Sequence, residues 1–161
     1  MLTSNLILIL FLIGLNGFFA AVEMAMVSSR KGRLRSLAEE GDKGAQAALR
    51  AKERPGHYLA AVQVGISLVG SLASAVGGAA AVPIIAEALS SVQALAPYAD
   101  QLALILIVLT ITYLSLVFGE LVPKQLALRN PEALASRLIA PVSLLSTVAA
   151  LPIRILSLST E

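Results

Sequence analysis

The chain has no cysteine, no tryptophan, a single histidine (His57) and few charges, with 14% of its 161 residues Asp, Glu, Lys or Arg. Each shortage excludes something. Without Cys there is neither a disulfide framework nor a thiolate metal site. Without Trp, and with aromatics at 4%, the aromatic belt that marks membrane–water interfaces is weak. With so little charge and 57% hydrophobic residues, a domain of this length cannot cover itself in polar surface. A mean hydropathy of +0.84 fits one integral membrane domain instead. The net charge is only +2, and no nucleic acid is expected as a partner.

Three long apolar runs are present, at residues 6–27, 58–86 and 102–122. At 1.5 Å per residue the first reaches about 33 Å, enough to cross a hydrocarbon core about 30 Å thick. A cleaved signal peptide would have a basic start and a shorter apolar core. No Lys or Arg precedes Arg30, so a retained span is the better reading. The second run is longer than one straight crossing and is interrupted by Gly65, Gly70, Gly77, Gly78 and Pro83. The third is closed by Pro123 and Lys124. Residues 87–100 form a loop with two acids and no basic residue.

Between the first two runs the material changes. Residues 30–54 carry Arg30, Lys31, Arg33, Arg35, Lys43, Arg50, Lys52 and Arg54 against Glu39, Glu40, Asp42 and Glu53. Leu34, Leu37 and Ala38, then Ala45, Ala48 and Leu49, recur at helical spacing, and Gly41 divides the segment into two short amphipathic helices. Such a basic segment beside a span lies along the anionic inner leaflet. By the positive-inside rule it is cytoplasmic, the N-terminus is outside, and the third span ends inside with Lys124, Arg129, Arg137 and Arg154. Residues 131–158 are read as a further juxtamembrane helical region. Within it residues 138–151 are short for a crossing and contain Pro141, which favours an interfacial or half-inserted helix over a fourth span. The fold class is therefore all-α integral membrane, with three glycine- and proline-broken spans and cytoplasmic juxtamembrane helices.

Polar atoms inside a span are costly in lipid, so they mark the side turned to protein. In the first span Asn16, Ala20 and Glu23 share one helical face. Ser67, Ser71 and Ser74, with Gly70 beside them, share one in the second. Thr112, Ser115 and Gly119 share one in the third, with Glu120 one position round. Converging, these stripes would line one oxygen-rich pocket. Plainer readings stand beside this one. Small residues let helices approach closely, and Ser and Thr can bond their own helix's carbonyls. Asn16 could make an interhelical hydrogen bond. Glu23 could pair with a basic residue near Arg30. Glu120 could form an i,i+4 pair with Lys124, although Pro123 disturbs the turn between them. A pocket of carboxylate, hydroxyl and carbonyl oxygens suits Mg²⁺, Ca²⁺ or Na⁺ and not zinc or copper. Glycine-broken helices at Gly70 and at 119–123 would add free carbonyls. The chemistry supports a cation site without choosing the cation. An intramembrane serine protease would need a His within the bilayer; His57 lies at a span edge, so no enzyme is expected.

These residues carry a resemblance. Asn16-Gly17-Phe18-Phe19-Ala20-Ala21-Val22-Glu23, followed by Ser28-Ser29-Arg30 and Arg33-Leu34, resembles the start of the CorC/CNNM transmembrane domain. Gln63-Val64-Gly65-Ile66-Ser67-Leu68-Val69-Gly70-Ser71 looks like that family's second-span motif. Phe118-Gly119-Glu120-Leu121-Val122-Pro123-Lys124 matches its third-span signature, Gly-Glu-x-x-Pro-Lys, the most specific piece. The resemblance implies a homodimeric Mg²⁺ transporter of the plasma membrane that exports Mg²⁺ in exchange for Na⁺. It implies that the full-length protein continues into cytoplasmic CBS domains that bind adenine nucleotide, and that this chain is its membrane part. Glu120 would supply the main charge to Mg²⁺, Ser67 and Ser71 hydroxyls, and Ala20, Gly70 or Gly119 backbone carbonyls. Glu23 belongs to the metal set or to an adjoining Na⁺ or outer region with Asn16, Ser74, Thr112 and Ser115, beside Pro123 and Lys124. Animal relatives carry Asn and Thr where Gly70 and Ser71 stand here, and Ser in place of Ala20, so backbone carbonyls would replace side-chain ligands at Ala20 and Gly70. Two other classes stay open: a membrane sensor or anchor that binds Mg²⁺ without transporting it, and a Na⁺-coupled carrier of another divalent ion.

Overall fold

A computed structural model describes residues 2–53 and 55–148, with side chains at 2, 57 and 143–148 left aside. All the regular secondary structure among the described residues is helical. Its helices are α1 (Leu2–Ser28), α2 (Lys31–Glu39), α3 (Lys43–Glu53), α4 (Pro55–Ser90), α5 (Ala99–Leu116), α6 (Val122–Arg129) and α7 (Pro131–Val148). A 3₁₀ turn, Ala96–Tyr98, leads into α5, and a π-helical turn, Val117–Leu121, joins α5 to α6.

Among the described residues three stretches are long and apolar enough to cross a membrane: Thr3–Ser28, Tyr58–Ser90 and Ala96–Arg129. α7 is not among them. The expectations for residues 149–158 lie outside the described residues. α1 packs along α4 and α4 along α5, while the third span returns to α1 through its π turn and α6. The large apolar side chains that stay exposed include Leu6, Ile7, Leu10 and Phe11 on α1 and Ile105, Leu109 and Tyr113 on α5. Rows of this kind are what a lipid-facing surface requires.

The broken second span is not observed. α4 runs unbroken from Pro55 to Ser90 with Pro83 inside it, and its glycines interrupt nothing. A helix in hydrocarbon must satisfy its backbone within itself, so continuity outweighs the low helix propensity of glycine. The third span is likewise continuous. At Val117–Leu121 it widens into the π turn, where Val122 N–H donates to Val117 O, five residues back.

Gly41 divides the basic segment as the sequence suggests. Its φ of 96° lies in the left-handed region that favours glycine. Gly41 N–H bonds to Ala38 O and Asp42 N–H to Leu37 O, the paired bonds of a Schellman motif that satisfy the last carbonyls of α2. Asp42 then caps α3, its Oδ1 accepting from Gly44 N–H at 2.8 Å and Ala45 N–H at 3.0 Å. Its other oxygen accepts the Ser136 hydroxyl at 2.7 Å, which ties α3 to α7. Glu132 of α7, buried, accepts Arg30 N–H at 3.1 Å where α2 begins. The Lys52 ammonium donates to Ser29 O just past the end of α1, a position favoured for a cation by the helix dipole. Leu34, Ala45, Ala48, Ala135 and Ile139 are buried in one apolar cluster with Val22, Met26 and Val62, so α2, α3 and α7 form a cap across one end of the long helices.

Candidate functional site

The site starts from a missing hydrogen. In a regular α-helix the Gly119 carbonyl would accept the N–H of residue 123, and Pro123 has none. The π turn is one response to that loss. The other comes from α1, where Asn16 Nδ2–H donates to Gly119 O at 3.0 Å. The helices are close enough for this because two glycines face the contact. A Cβ on Gly17 would stand 2.9 Å from Pro123 Cγ and 3.1 Å from Phe118 O, and one on Gly119 would stand 3.1 Å from Asn16 Nδ2. Asn16 is buried, and its Oδ1 has no hydrogen-bond partner.

About two turns further along α1 lies the charged part. The Lys124 ammonium sits 2.9 Å from Glu120 Oε1 and 3.2 Å from Glu23 Oε2. The i,i+4 pair of Glu120 with Lys124 therefore forms across the π turn. Among the described residues Glu23 pairs with Lys124 and not with a basic residue near Arg30. Both carboxylates remain partly exposed.

The third span and α1 thus bring together Asn16, Gly119, Glu23, Glu120, Pro123 and Lys124. Ala20 is fully buried on the same face of α1. The other stripes point elsewhere. Ser67, Ser71, Ser74 and Thr112 are exposed, and Ser115 and Gly70 are half-buried. A Cβ on Gly70 would meet nothing within 4 Å. Within the described chain the three stripes do not close into a single oxygen-lined pocket. Among the described residues no three of His, Cys, Asp and Glu gather as a metal site would require.

A close contact of two glycine-bearing helices, sealed by an Asn amide on a Pro-freed carbonyl, with an acid–lysine–acid cluster beside it, uses residues of the first and third quoted motifs at once. The family model described as the Cyclin M (CNNM) transmembrane N-terminal domain matches residues 7–161. The chain belongs to the CNNM transmembrane-domain family. Similar proteins include a UPF0053 protein of Synechocystis sp., 45% identical over 157 residues that cover 98% of this chain and 35% of that protein. A protein of Mycobacterium tuberculosis is 35% identical over 140 residues, 86% of this chain and 39% of its own length. The polyamine export protein of Escherichia coli K12 is 35% identical over 139 residues, 86% of this chain and 31% of its own. This CNNM domain therefore spans about a third of the length of these relatives. The missed feature was Asn16's partner. Its signal was present, since Pro123 four residues after Gly119 predicts a carbonyl in need of a donor.

Proposed function

We propose that this domain carries a cation across the membrane between α1 and the third span, with Mg²⁺ as the cargo exported and Na⁺ as the counter-ion. One observation supports the site: two carboxylates from different spans, Glu23 and Glu120, hold one cation, the Lys124 ammonium. A tethered cation at a pair of carboxylates stands in for cargo when cargo is absent, and a moving ion would take its place. Mg²⁺ prefers six oxygens. Glu120 and Glu23 would supply charge, the Gly119 and Ala20 backbone carbonyls that the family resemblance implies would add oxygens, and retained water would complete the shell. The Ser67, Ser71 and Ser74 stripe would join the pathway only where a second protomer covers it, which fits the homodimer expected from the family. The plasma membrane, with a cytoplasmic C-terminus, is the location this reading requires, and cytoplasmic CBS domains would complete the protein.

A second cargo has its own support. The group now held by Glu23 and Glu120 is a primary alkylammonium, and a relative bears the name polyamine export protein. A diamine or polyamine end would fit where Lys124 Nζ lies, with no six-oxygen shell to build.

The test is flux in proteoliposomes, measuring Mg²⁺ and spermidine separately, with and without a Na⁺ gradient. Mg²⁺ flux that follows the Na⁺ gradient and disappears in Glu120→Gln supports the first reading. Spermidine flux alone supports the second. Cation binding without any flux would make the domain a sensor, and normal flux of both cations in Glu120→Gln would remove the site.

A further inference from the structure

Where α1 ends and α4 begins, the cap leaves a cavity of about 320 Å³ lined by Met26, Val27, Lys31, Ala51, Lys52, Pro55, Tyr58 and Leu59. None of these residues belongs to the Glu23–Lys124–Glu120 cluster. The lining is apolar except for two ammonium groups and one phenol. Among the described residues neither Lys31 nor Lys52 has an ion-pair partner. Lys52 donates one hydrogen bond to the Ser29 carbonyl, and two of its three N–H donors remain. Its pKa is held below the usual lysine value, first by burial and then by the nearby charge of Lys31, against the weaker pull of Glu132. Tyr58 is buried, and its hydroxyl has no hydrogen-bond partner. Two cations that repel each other and an apolar wall beside them lack the same thing, an anion attached to something greasy.

We infer that this cavity seats one anionic phospholipid, with its phosphate on Lys31 and Lys52 and its upper acyl chain against Met26, Val27 and Leu59. Position argues for a lipid over a free anion. Two spans change into the basic cap here, so the cavity lies at the edge of the hydrocarbon, where headgroup phosphates are found. The volume suits the glycerol–phosphate region and the first methylenes, and the remaining chain continues into the bilayer. Val27 is well exposed, which leaves that path open. Phosphate hydrogen-bonded to a lysine pair is a charge-assisted contact, and each basic residue near an anionic surface contributes about 1 kcal/mol.

The test is retention of phosphatidylglycerol against phosphatidylcholine of the same chains on the purified 161-residue chain, counted by native mass spectrometry from detergent. The wild type should keep one phosphatidylglycerol in preference to phosphatidylcholine. The double variant Lys31→Gln/Lys52→Gln should bind it about thirtyfold more weakly. Leu59→Trp keeps both charges and fills the apolar part, so it should also lose the retained lipid, and it serves if the double variant does not fold. Equal retention of the two lipids by the wild type would overturn the inference, as would an undiminished preference in Leu59→Trp. Competition by inorganic phosphate at the concentration of the lipid would mark a free-anion site and overturn it as well.

Discussion

Asn16 and Gly119 are 103 residues apart, and the side-chain amide of one supplies the hydrogen bond that the backbone around the other has lost to Pro123. That bond joins the first span to the third at the point where the third changes to a π turn. It also holds Glu120, the next residue, beside the face of α1 that carries Glu23.

The first prediction concerns this bond. Asn16→Leu leaves the Gly119 carbonyl buried without its donor, and the cost should be about 1–3 kcal/mol. Pro123→Ala restores a backbone N–H that can serve the same carbonyl. In that background Asn16→Leu should cost less, and a double-mutant cycle on unfolding in detergent should show coupling of about 1 kcal/mol. Additive losses would mean that Asn16 does not act on the carbonyl freed by the proline.

Close approach gives the second. Gly17→Ala drives a methyl toward Pro123 Cγ and Phe118 O, at 2.9 and 3.1 Å, and should destabilise by about 1–3 kcal/mol through overpacking. One turn earlier on the same helix, a Cβ at Gly14 meets nothing within 4 Å. Gly14→Ala should be neutral or stabilising by a fraction of 1 kcal/mol, from helix propensity alone. Thermal unfolding of the two variants side by side separates packing from propensity.

Lys124 gives the third. Lys124→Met removes the tethered ammonium and leaves Glu23 and Glu120 facing each other. The variant should be less stable in low salt, and added Mg²⁺ or spermidine should raise its Tm more than that of the wild type, because no ammonium has to be displaced. A site tightened tenfold would add about 1.4 kcal/mol of stabilisation at high ligand concentration. Equal Tm gains in both proteins would show that the added cation binds away from this cluster.

The fourth is a pH dependence. Asp42 is held below its ordinary value of 3.8, first by the Ser136 hydroxyl, then by the Ala45 and Gly44 N–H groups and the charge of Arg137, against the opposing effect of burial. A carboxyl depressed in the folded state contributes stability above its unfolded pKa, and that contribution is lost as pH falls through the lower folded value. Ser136→Ala removes the largest cause, and Asp42→Asn removes the titration. Both should lower Tm at neutral pH and flatten its decline below about pH 4. A wild-type acid slope retained in Asp42→Asn would assign the effect to another group.

Much of this architecture was legible from particular residues. The apolar runs gave the three membrane-length helices, because length and hydropathy alone decide whether a helix can cross lipid. Gly41, with Asp42 after it, gave the break between α2 and α3, because left-handed φ and N-capping are local requirements. The pair of Glu120 with Lys124 followed from a spacing of four. The glycines of the second run misled in one respect, suggesting a broken helix where α4 is continuous, because an apolar surround leaves the backbone no partner but its own helix.

Sequence by itself determined which residues share a helix face: Asn16 with Ala20 and Glu23, and Ser67 with Ser71 and Ser74. Only the tertiary structure decided where each face points. Periodicity fixes angles around one axis and says nothing about the rotation of that axis against its neighbours. That rotation is set by which side chains let backbones touch. Gly17 against Gly119 and Pro123 turned the polar face of α1 toward the third span, so Glu23 met Lys124. The serine face of α4 was left on the outside.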